Sequence, residues 1–359
     1  MMNKSQIARI RLANQQIVGT KFTEPRDIVA WLGAVQAQDY AMAKWGIGLR
    51  LTSATERTIE AAIDSGSIIR THVMRPTWHF VAAEDIRWML ELTAPRIQQA
   101  CSFWKRFVEL DDKTLIRSNK FIAKTLEGGH HLTRQDLMTV LEKAGIKASN
   151  QRASYIMLQA ELDRIVCNGK RRAKQFTYAL FDERVPQTKP LLRDEALANL
   201  AERYFTSHGP ATLKDFVWWS GLTVADATLA LKMIESRLYN ESVDGNIYWM
   251  PNSMPDPQIR SKSVRLLPAF DEFTVSYKDR TASVAPDLLK EVSVGHAIFR
   301  PIVVVDGRVV GIWKRTLEKA ATRIEYTFFE DMKPSRLSDL EKSAKQYGKF
   351  EGKTTTSHG

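Results

Sequence analysis

The sequence predicts an α+β protein with three tandem units of helices and a β-hairpin, followed by a smaller β-rich domain. Two observations lead to this prediction. A pattern of helices followed by a hairpin occurs three times along the chain, and strand-like apolar runs predominate after Ser263. The 359 residues are 44% hydrophobic and 26% charged, which is ordinary for a protein of two or more domains.

The first copy of the pattern lies in the N-terminal quarter of the chain. An amphipathic run over residues 5–18 precedes Thr23-Glu24-Pro25, which predicts a helix start with proline in the first turn. A further helical stretch runs from Glu56 to Ser65. Two strand-like runs, IIRTHV and TWHFV, then predict a β-hairpin.

The second copy begins with a helical run from Asp112 to Leu126. The capping pattern Thr133 to Asp136 predicts the start of a helix over LMTVLEKAG, and a third helix is predicted from Gln151 to Asp163. The runs IVC and FTYALF predict a hairpin with the basic loop NGKRRAK at its tip.

The third copy has a predicted helix from Asp194 to Ser207, a helix LKDFVWWSG capped by Thr212, and a helix from Val224 to Ser236. The turn Asp244-Gly245 predicts its hairpin. Three helices followed by a hairpin are typical of the winged-helix unit, so we predict three tandem winged-helix units. Such units commonly bind DNA, although some bind proteins instead.

After Ser263 the runs VRLLPAF, FTVSY, AIFRPIVVVD and RVVGIW predict strands, and Arg336 to Phe350 predicts a closing helix. The predicted domains are residues 1–95 (first winged helix), 96–188 (second winged helix with a basic wing), 189–260 (third winged helix), 261–350 (β-rich domain) and 351–359 (a disordered tail).

Charge and composition narrow the function classes. The 52 basic and 41 acidic residues give a net charge of +11, which suits a polyanionic partner. The cluster GKRRAK concentrates this charge in one loop, although a solvated loop is the alternative interpretation. There is no signal-peptide pattern and no run of about 18 apolar residues, so we expect a cytoplasmic protein without a membrane span.

The sequence contains no metal-binding spacing. Its two cysteines are Cys101 and Cys167, with no CxxC pattern, and its seven histidines form no HExxH pattern. We therefore predict no metal and no cofactor.

The stretch WLGAVQAQDYAMAKW contains the most unusual polar group. Gln36 and Gln38 flank one alanine directly before Asp39, in a segment that is otherwise mostly apolar or small. The two amides either have a chemical role or satisfy local backbone groups and pack against Trp45. Asp39 is a candidate base, and its alternative role is to cap the following helix.

Several segments together resemble the AlkZ-type bacterial DNA glycosylases. They are Gln36-Ala37-Gln38-Asp39, RTHVMRPTWHFV, HGPATLKDFVWWSGL, LLPAFDEFTVSYKDR and VVVDGRVVGIWKR. The resemblance extends from about residue 5 to about residue 345. It implies tandem winged helices and a Gln-x-Gln motif that assigns catalysis to Gln36 and Gln38. It also implies removal of alkylated purines and unhooking of DNA interstrand crosslinks. One departure is Arg75-Pro76-Thr77-Trp78-His79, where the family commonly has R-G-T-L-H.

Two amides suffice for this chemistry if the leaving base is already cationic. An alkyl group on N7 makes guanine a good leaving group, and the oxocarbenium-like sugar needs oxygen dipoles and a positioned water. Gln36 and Gln38 are therefore predicted to orient water and stabilise charge, with Asp39 as candidate base. The lysine nearest to the motif is Lys44, outside the motif itself, so we predict a monofunctional enzyme that leaves an abasic site.

The predicted DNA contacts are cationic residues of the first two hairpins and one C-terminal lysine: Arg70, Arg75, His79, Lys170, Arg171, Arg172, Lys174 and Lys278. His79 has a structural alternative. Whether Lys278 and Arg280 contact DNA or pair with Asp271 or Asp279 is left open. The tryptophans Trp45, Trp78 and Trp88 are either stacking groups or, more commonly at such spacing, core residues.

The predicted partner is double-stranded DNA with alkylated or crosslinked purines, bound by a monomer in the cytoplasm, at the bacterial nucleoid. The rival hypothesis is a noncatalytic winged-helix DNA-binding protein or transcriptional regulator, which would read symmetric half-sites as a dimer. A protein-interaction scaffold is a third possibility, which leaves the basic second wing unexplained.

Overall fold

The computed structural model describes residues 2–253, 263–295 and 298–358. It mixes helices and strands, which confirms the predicted α+β class. The chain forms two compact units. The first combines Met1–Glu60, Leu197–Trp219 and Thr223–Gly359, and the second combines Ala61–Ala196 with Ser220–Leu222. Segments far apart in the sequence therefore share the first unit.

The α-helices of the described residues are α1 (Lys4–Asn14), α2 (Pro25–Leu32), α3 (Tyr40–Gly48), α4 (Glu56–Ser65), α5 (Ile86–Ala100), α6 (Ser102–Phe107), α7 (Asp112–Leu126), α8 (Arg134–Lys143), α9 (Asn150–Leu162), α10 (Phe181–Arg184), α11 (Arg193–His208), α12 (Leu213–Ser220), α13 (Val224–Ile234), α14 (Glu272–Val275), α15 (Leu289–Val292) and α16 (Pro334–Glu351). The strands are β1 (Val35–Gln36), β2 (Ile68–His72), β3 (Trp78–Ala82), β4 (Leu132–Thr133), β5 (Val166–Asn168), β6 (Thr177–Leu180), β7 (Leu238–Val243), β8 (Asn246–Pro251), β9 (Val264–Leu267), β10 (Ser293–Val294), β11 (Ile298–Phe299), β12 (Ile302–Val305), β13 (Arg308–Leu317), β14 (Ala321–Phe328) and β15 (Thr354–His358).

In the first predicted copy the helix starts follow local chemistry. Asn3 and Gln6 form a capping box at the start of α1, and Pro25 occupies the first turn of α2. Helix α2 ends at Gly33, whose φ of +78° suits glycine. A side chain there would also meet the Trp219 ring at 3.3 Å. Gly33 therefore turns the chain from α2 directly into β1.

The second copy lies in the second unit and follows the predicted order of elements. Helix α7 has the predicted bounds, and Thr133 caps α8 through a reciprocal box with Asp136. Strands β5 and β6 form the predicted antiparallel hairpin, and β4 adds to the free side of β6. The basic loop therefore joins two strands of a small sheet, close to the start of α8.

The third copy places α11, α12 and α13 before the hairpin β7–β8. Thr212 and Asp215 exchange hydrogen bonds at the start of α12, with the Thr212 amide donating to Asp215 over 3.0 Å. Asp244 and Gly245 both have positive φ, of 50° and 76°, as the two-residue turn of this hairpin requires. The number of winged-helix units and their boundaries stay predictions.

The C-terminal segment builds a five-stranded sheet in the order β15-β14-β13-β12-β9. Two predictions for this segment were wrong. FTVSY was predicted as a strand, but Asp271 caps a helical turn there by accepting from the Phe273 amide over 2.9 Å. The tail was predicted to be disordered, but Thr354–His358 pair in parallel with β14, because a run of β-branched threonines suits a strand.

Other C-terminal predictions agree with the structure. Asp306 and Gly307 form the turn between β12 and β13, and α16 matches the predicted closing helix within two residues at its start. Ala297, in the predicted strand AIFRPIVVVD, lies outside the described residues. No helix in the described part of the chain is long and apolar enough to cross a membrane.

Candidate active site

The Gln-x-Gln motif joins a strand end to a helix start in the first unit. Gln36 is the last residue of β1 and is 7% exposed, whereas Gln38 and Asp39 are exposed. Asp39 is the N-cap of α3, and its Oδ1 accepts a hydrogen bond from the Met42 amide over 3.0 Å. The capping alternative for Asp39 is therefore present, and this cap fixes the chain direction directly after Gln38.

A buried carboxylate holds the backbone of the motif. The backbone N–H of Gln36 donates to Oε1 of Glu272 over 2.7 Å, and Glu272 is 1% exposed. The other oxygen, Oε2, accepts from the Trp219 indole over 3.2 Å and from the hydroxyl of Ser276. Each carboxylate oxygen therefore has at least one strong donor, and the position of Gln36 depends on Glu272.

These donors keep Glu272 ionised. Burial by itself would raise the pKa of Glu272, but interactions with His208, Ser276 and the Gln36 amide outweigh it and lower the pKa to about 2. A carboxylate with a depressed pKa stabilises the fold above its ordinary pKa of 4.5, and this contribution is lost as the pH falls toward 2. The site is therefore built to hold a negative charge behind Gln36 at neutral pH.

His208 packs beside this carboxylate. The Ser207 hydroxyl has one hydrogen, which it donates to the Arg203 carbonyl over 2.6 Å, so it accepts from Nδ1 of His208 over 2.7 Å. Nε2 of His208 then lies 3.6 Å from Oε2 of Glu272. Burial lowers the pKa of His208, while the adjacent Glu272 opposes this shift. Besides this contact with His208, the Glu272 carboxylate accepts hydrogen bonds from the Gln36 backbone amide, the Trp219 indole and the Ser276 hydroxyl.

A second buried ion pair supports the helical turn that carries Glu272. Arg50 binds Asp271 through both terminal nitrogens, over 2.9 and 2.8 Å. Its remaining N–H groups donate to the carbonyl of Gln15 over 2.9 Å, to the side chain of Gln15 over 3.1 Å and to the carbonyl of Gly46 over 2.7 Å. All five donors of the guanidinium are thus satisfied without solvent.

Lys44, the lysine nearest to the motif, is not available as a nucleophile. Its side chain is 2% exposed, and its ammonium binds the carboxylates of Glu56 and Glu60. A nucleophilic amine must reach the sugar carbon, and this ammonium is buried and engaged by two carboxylates instead. No motif in the sequence indicates this pair of ion pairs, although Glu56 and Glu60 lie four residues apart, on the same face of α4.

The basic wing lies in the second unit, and its exposed cations are partly tied to neighbouring groups. Arg172 forms an ion pair with Asp136 over 2.8 Å and closes the loop through a backbone pair with Gln175. Arg171 donates to the Lys174 carbonyl over 3.0 Å, and the Lys170 amide donates to His131 over 2.8 Å. The wing is an ordered loop with Lys170, Arg172 and Lys174 on or near its surface.

The first hairpin, also in the second unit, exposes little of the side chains that were predicted to contact DNA. Arg70 is 7% exposed and its guanidinium lies 4.1 Å from the centre of the Trp78 ring. Arg75 is half-buried, with Nη2 at 3.5 Å from His79. His79 is fully buried and its Nδ1 donates to the Thr77 carbonyl over 2.9 Å. The His79 side chain has no exposed surface, so its predicted DNA contact gives way to its structural alternative.

The remaining candidates divide between surface and core. Lys278 is exposed in the first unit, and its ammonium lies 4.7 Å from the centre of the Trp218 ring. The suggested partner of Lys278, Asp271, is bound by Arg50 instead. Trp45 and Trp88 are 2% and 5% exposed, and each indole donates to a buried acceptor, as core tryptophans do.

The structure therefore brings together Gln36, Gln38 and Asp39 with the supporting Glu272 in the first unit. A family profile described as "DNA glycosylase AlkZ-like" matches residues 29–350, which is most of the chain and includes all of these residues.

The chain belongs to the AlkZ-like DNA glycosylase family.

Two comparisons agree with this assignment. The chain is 24% identical over 353 residues to a protein of Streptomyces sahachiroi named "Interstrand DNA cross-link repair glycosylase", covering 92% of this chain and 94% of that protein. It also resembles the solved structure "Streptomyces sahachiroi DNA glycosylase AlkZ", with a TM-score of 0.82 and 21% identity over 99% of this chain and 100% of that chain. The second comparison shows a common fold.

For this AlkZ-like chain the predicted family and enzyme class, DNA glycosylase, are confirmed. Sequence reasoning missed Glu272 and Lys44's carboxylate cage as parts of the site. Glu272 did carry a signal, since the acidic pair Asp271-Glu272 interrupts the apolar run LLPAFDEFTVSY. Two adjacent acids inside such a run require partners in the core, here Arg50 for Asp271 and the Gln36 amide for Glu272.

Proposed function

We propose that this AlkZ-like enzyme is a monofunctional DNA glycosylase that hydrolyses the glycosidic bond of N7-alkylated purines and unhooks interstrand crosslinks. The observation that supports it most directly is the Gln-x-Gln segment, in which the backbone N–H of Gln36 is held by the buried carboxylate of Glu272. The name of the S. sahachiroi relative supports the crosslink as a substrate. We propose that the enzyme acts as a monomer on double-stranded DNA in the bacterial cytoplasm, at the nucleoid.

In the proposed reaction the bond between C1′ and N9 breaks, and its electron pair neutralises the alkylated purine. The side-chain oxygens of Gln36 and Gln38 stabilise the positive charge at C1′ and orient a water molecule. The water oxygen bonds to C1′, and its proton passes to Asp39, one of whose oxygens already caps α3. Neither amide accepts a proton at neutral pH, which limits the enzyme to bases that leave readily.

The first test measures base release directly. We expect the wild-type protein to release base from duplex DNA with a single N7-methylguanine and to unhook an N7-linked crosslink. The double variant Gln36→Ala, Gln38→Ala should lose at least about 100-fold in rate, because the charge at C1′ and the water lose their dipoles. Its affinity for the duplex should persist, since neither glutamine is charged.

Gln187→Ala, at an exposed position in a loop of the second unit, is the matched control and should keep wild-type rates. Thermal unfolding of the double variant checks that loss of the buried Gln36 side chain leaves the protein folded. If wild type binds duplex DNA but releases neither base, the glycosylase proposal fails and a noncatalytic DNA-binding regulator becomes the better account.

A second test addresses the monofunctional character. Because the Lys44 ammonium is buried and bound by Glu56 and Glu60, we expect borohydride to trap no covalent complex with damaged DNA during turnover. The product should be an intact strand with an abasic site, cleaved only after alkali treatment. A lyase-type glycosylase run in parallel shows that trapping works, and a borohydride-stable complex of this protein would disprove the monofunctional proposal.

A further inference from the structure

A cavity of about 420 Å³ lies within the second unit, where the basic wing, the strand β2 and the start of α8 meet. Its wall includes the cations Arg70, Arg134 and Lys174. None of the residues that line it, all within the described part of the chain, is acidic. A cavity of this charge favours an anionic ligand, and its volume lies in the range of roughly 300–1,000 Å³ that is usual for small-ligand sites.

Two of the three aromatic residues that line the cavity, Trp78 and Phe176, hold a guanidinium. The Arg70 guanidinium lies 4.1 Å from the centre of the Trp78 ring and 4.7 Å from that of Phe176. Trp78 also packs against His72, with ring centres 3.9 Å apart, and Arg171 lies 5.3 Å from the Phe176 ring. The Trp78 and Phe176 rings therefore pack against cations and an imidazole, and they fix the position of the Arg70 guanidinium.

A buried side chain of this wall has unused hydrogen-bonding capacity. Asn168 is 5% exposed, and its Oδ1 has no hydrogen-bond partner among the described residues. Burying an amide oxygen without a partner costs stability, so such a group commonly marks a ligand or an ordered water. The carboxamide can turn to present its NH₂ group instead, which donates to an anionic oxygen.

The start of α8 adds donors to the same cavity. Arg134 and Gln135 are the first two residues of this ten-residue helix, and both line the cavity. The capping box uses the amide of Asp136, the third residue, and leaves those of Arg134 and Gln135 outside the box. Amides at a helix start favour anions, and here they stand beside three cationic side chains and Asn168.

We propose that this cavity binds one phosphodiester of the DNA backbone, away from the damaged base. Arg70 supplies a fixed guanidinium, Arg134 and Lys174 supply exposed positive charge, and Asn168 supplies an amide. The inference rests on the proposed function insofar as the anion belongs to DNA. A free phosphate ion has the same chemistry, so the test separates the two sources.

The test uses the exposed cations, whose removal leaves the fold intact. Binding of undamaged duplex DNA is measured by fluorescence anisotropy over a series of salt concentrations. For Arg134→Ala, Lys174→Ala we expect the slope of log Kd against log salt to fall by about one and Kd to rise roughly 5- to 20-fold at low salt, as for loss of one phosphate contact. The matched control, Lys120→Ala, Lys143→Ala, removes two exposed cations from α7 and α8 outside the cavity and should leave the slope unchanged.

A scan with single methylphosphonate linkages, which remove the charge of one phosphate at a time, identifies the contact. Wild type should lose affinity at one linkage that the Arg134→Ala, Lys174→Ala variant no longer senses, whereas the control variant still senses it. An unchanged slope, or equal sensitivity of all three proteins at every linkage, would overturn the proposal. The proposal would also fail if inorganic phosphate binds to the cavity while the Arg134→Ala, Lys174→Ala substitutions leave the slope unchanged. A free anion would then be the ligand.

These measurements need no base release. If the slope and the scan behave as expected while no base is released, the phosphate site stands and the proposed glycosylase activity fails. If base is released but the slope is unchanged, the proposed glycosylase activity stands and the phosphate site fails.

Discussion

Replacing Glu272 by alanine is expected to lower the rate of base release by about 100-fold and to destabilise the protein by roughly 3–5 kcal/mol. The change removes the acceptor of the Gln36 amide and leaves the Trp219 indole and the Ser276 hydroxyl without their buried partner. The segment that carries Gln36 and Gln38 then loses its anchor, and a shift of about 1 Å in a catalytic group is enough to explain the rate. Single-turnover base release and urea unfolding measure the two effects.

The conservative variant Glu272→Gln separates positioning from folding. It keeps an oxygen for the Gln36 amide, so we expect it to recover more activity than stability relative to Glu272→Ala. Glu318→Ala, an exposed glutamate of the first unit, should change neither quantity by more than about 0.5 kcal/mol. Equal activity of Glu272→Ala and wild type, measured well below the unfolding temperature, would show that Glu272 does not position the motif.

Replacing Arg50 by alanine is expected to destabilise the protein by roughly 3–5 kcal/mol, because it leaves the Asp271 carboxylate buried without a counter-ion. Both groups are about 1% exposed, and the guanidinium uses all five of its donors inside the protein. Arg50→Lys keeps the charge but lacks the planar fork, so it should recover only part of the stability. Urea denaturation gives the free energies of unfolding.

An exposed pair of the same type provides the control. Arg237 binds Glu202 over 2.6 Å, with side chains 62% and 45% exposed, so Arg237→Ala should cost at most about 1 kcal/mol. If Arg50→Ala were as mild as Arg237→Ala, the pair with Asp271 would contribute little to stability, and the turn that carries Glu272 would have another support.

Local signals in the sequence were sufficient for most helices, hairpins and turns. The bounds of α4 and α7 were predicted to the residue, and the box of Thr133 and Asp136 forms as expected. These features depend on capping and on apolar periodicity, which involve residues only a few positions apart. The strand prediction for FTVSY was wrong because it used local preference alone. Its β-branched residues suit a strand, whereas contacts of Asp271 and Glu272 with distant residues impose a helical turn.

The family, the α+β class and the motif proposed to carry catalysis follow from the amino-acid sequence, because they depend on residue identity and short-range order. The surroundings of the motif depend on the three-dimensional fold. It placed Glu272 behind Gln36 across 236 positions of sequence and buried His79. It also enclosed Arg70 between aromatic rings of the second unit. Such contacts join residues that are far apart in the sequence, so no local pattern predicts them. Burial then determines which charged groups need a partner and which side chains can contact a ligand.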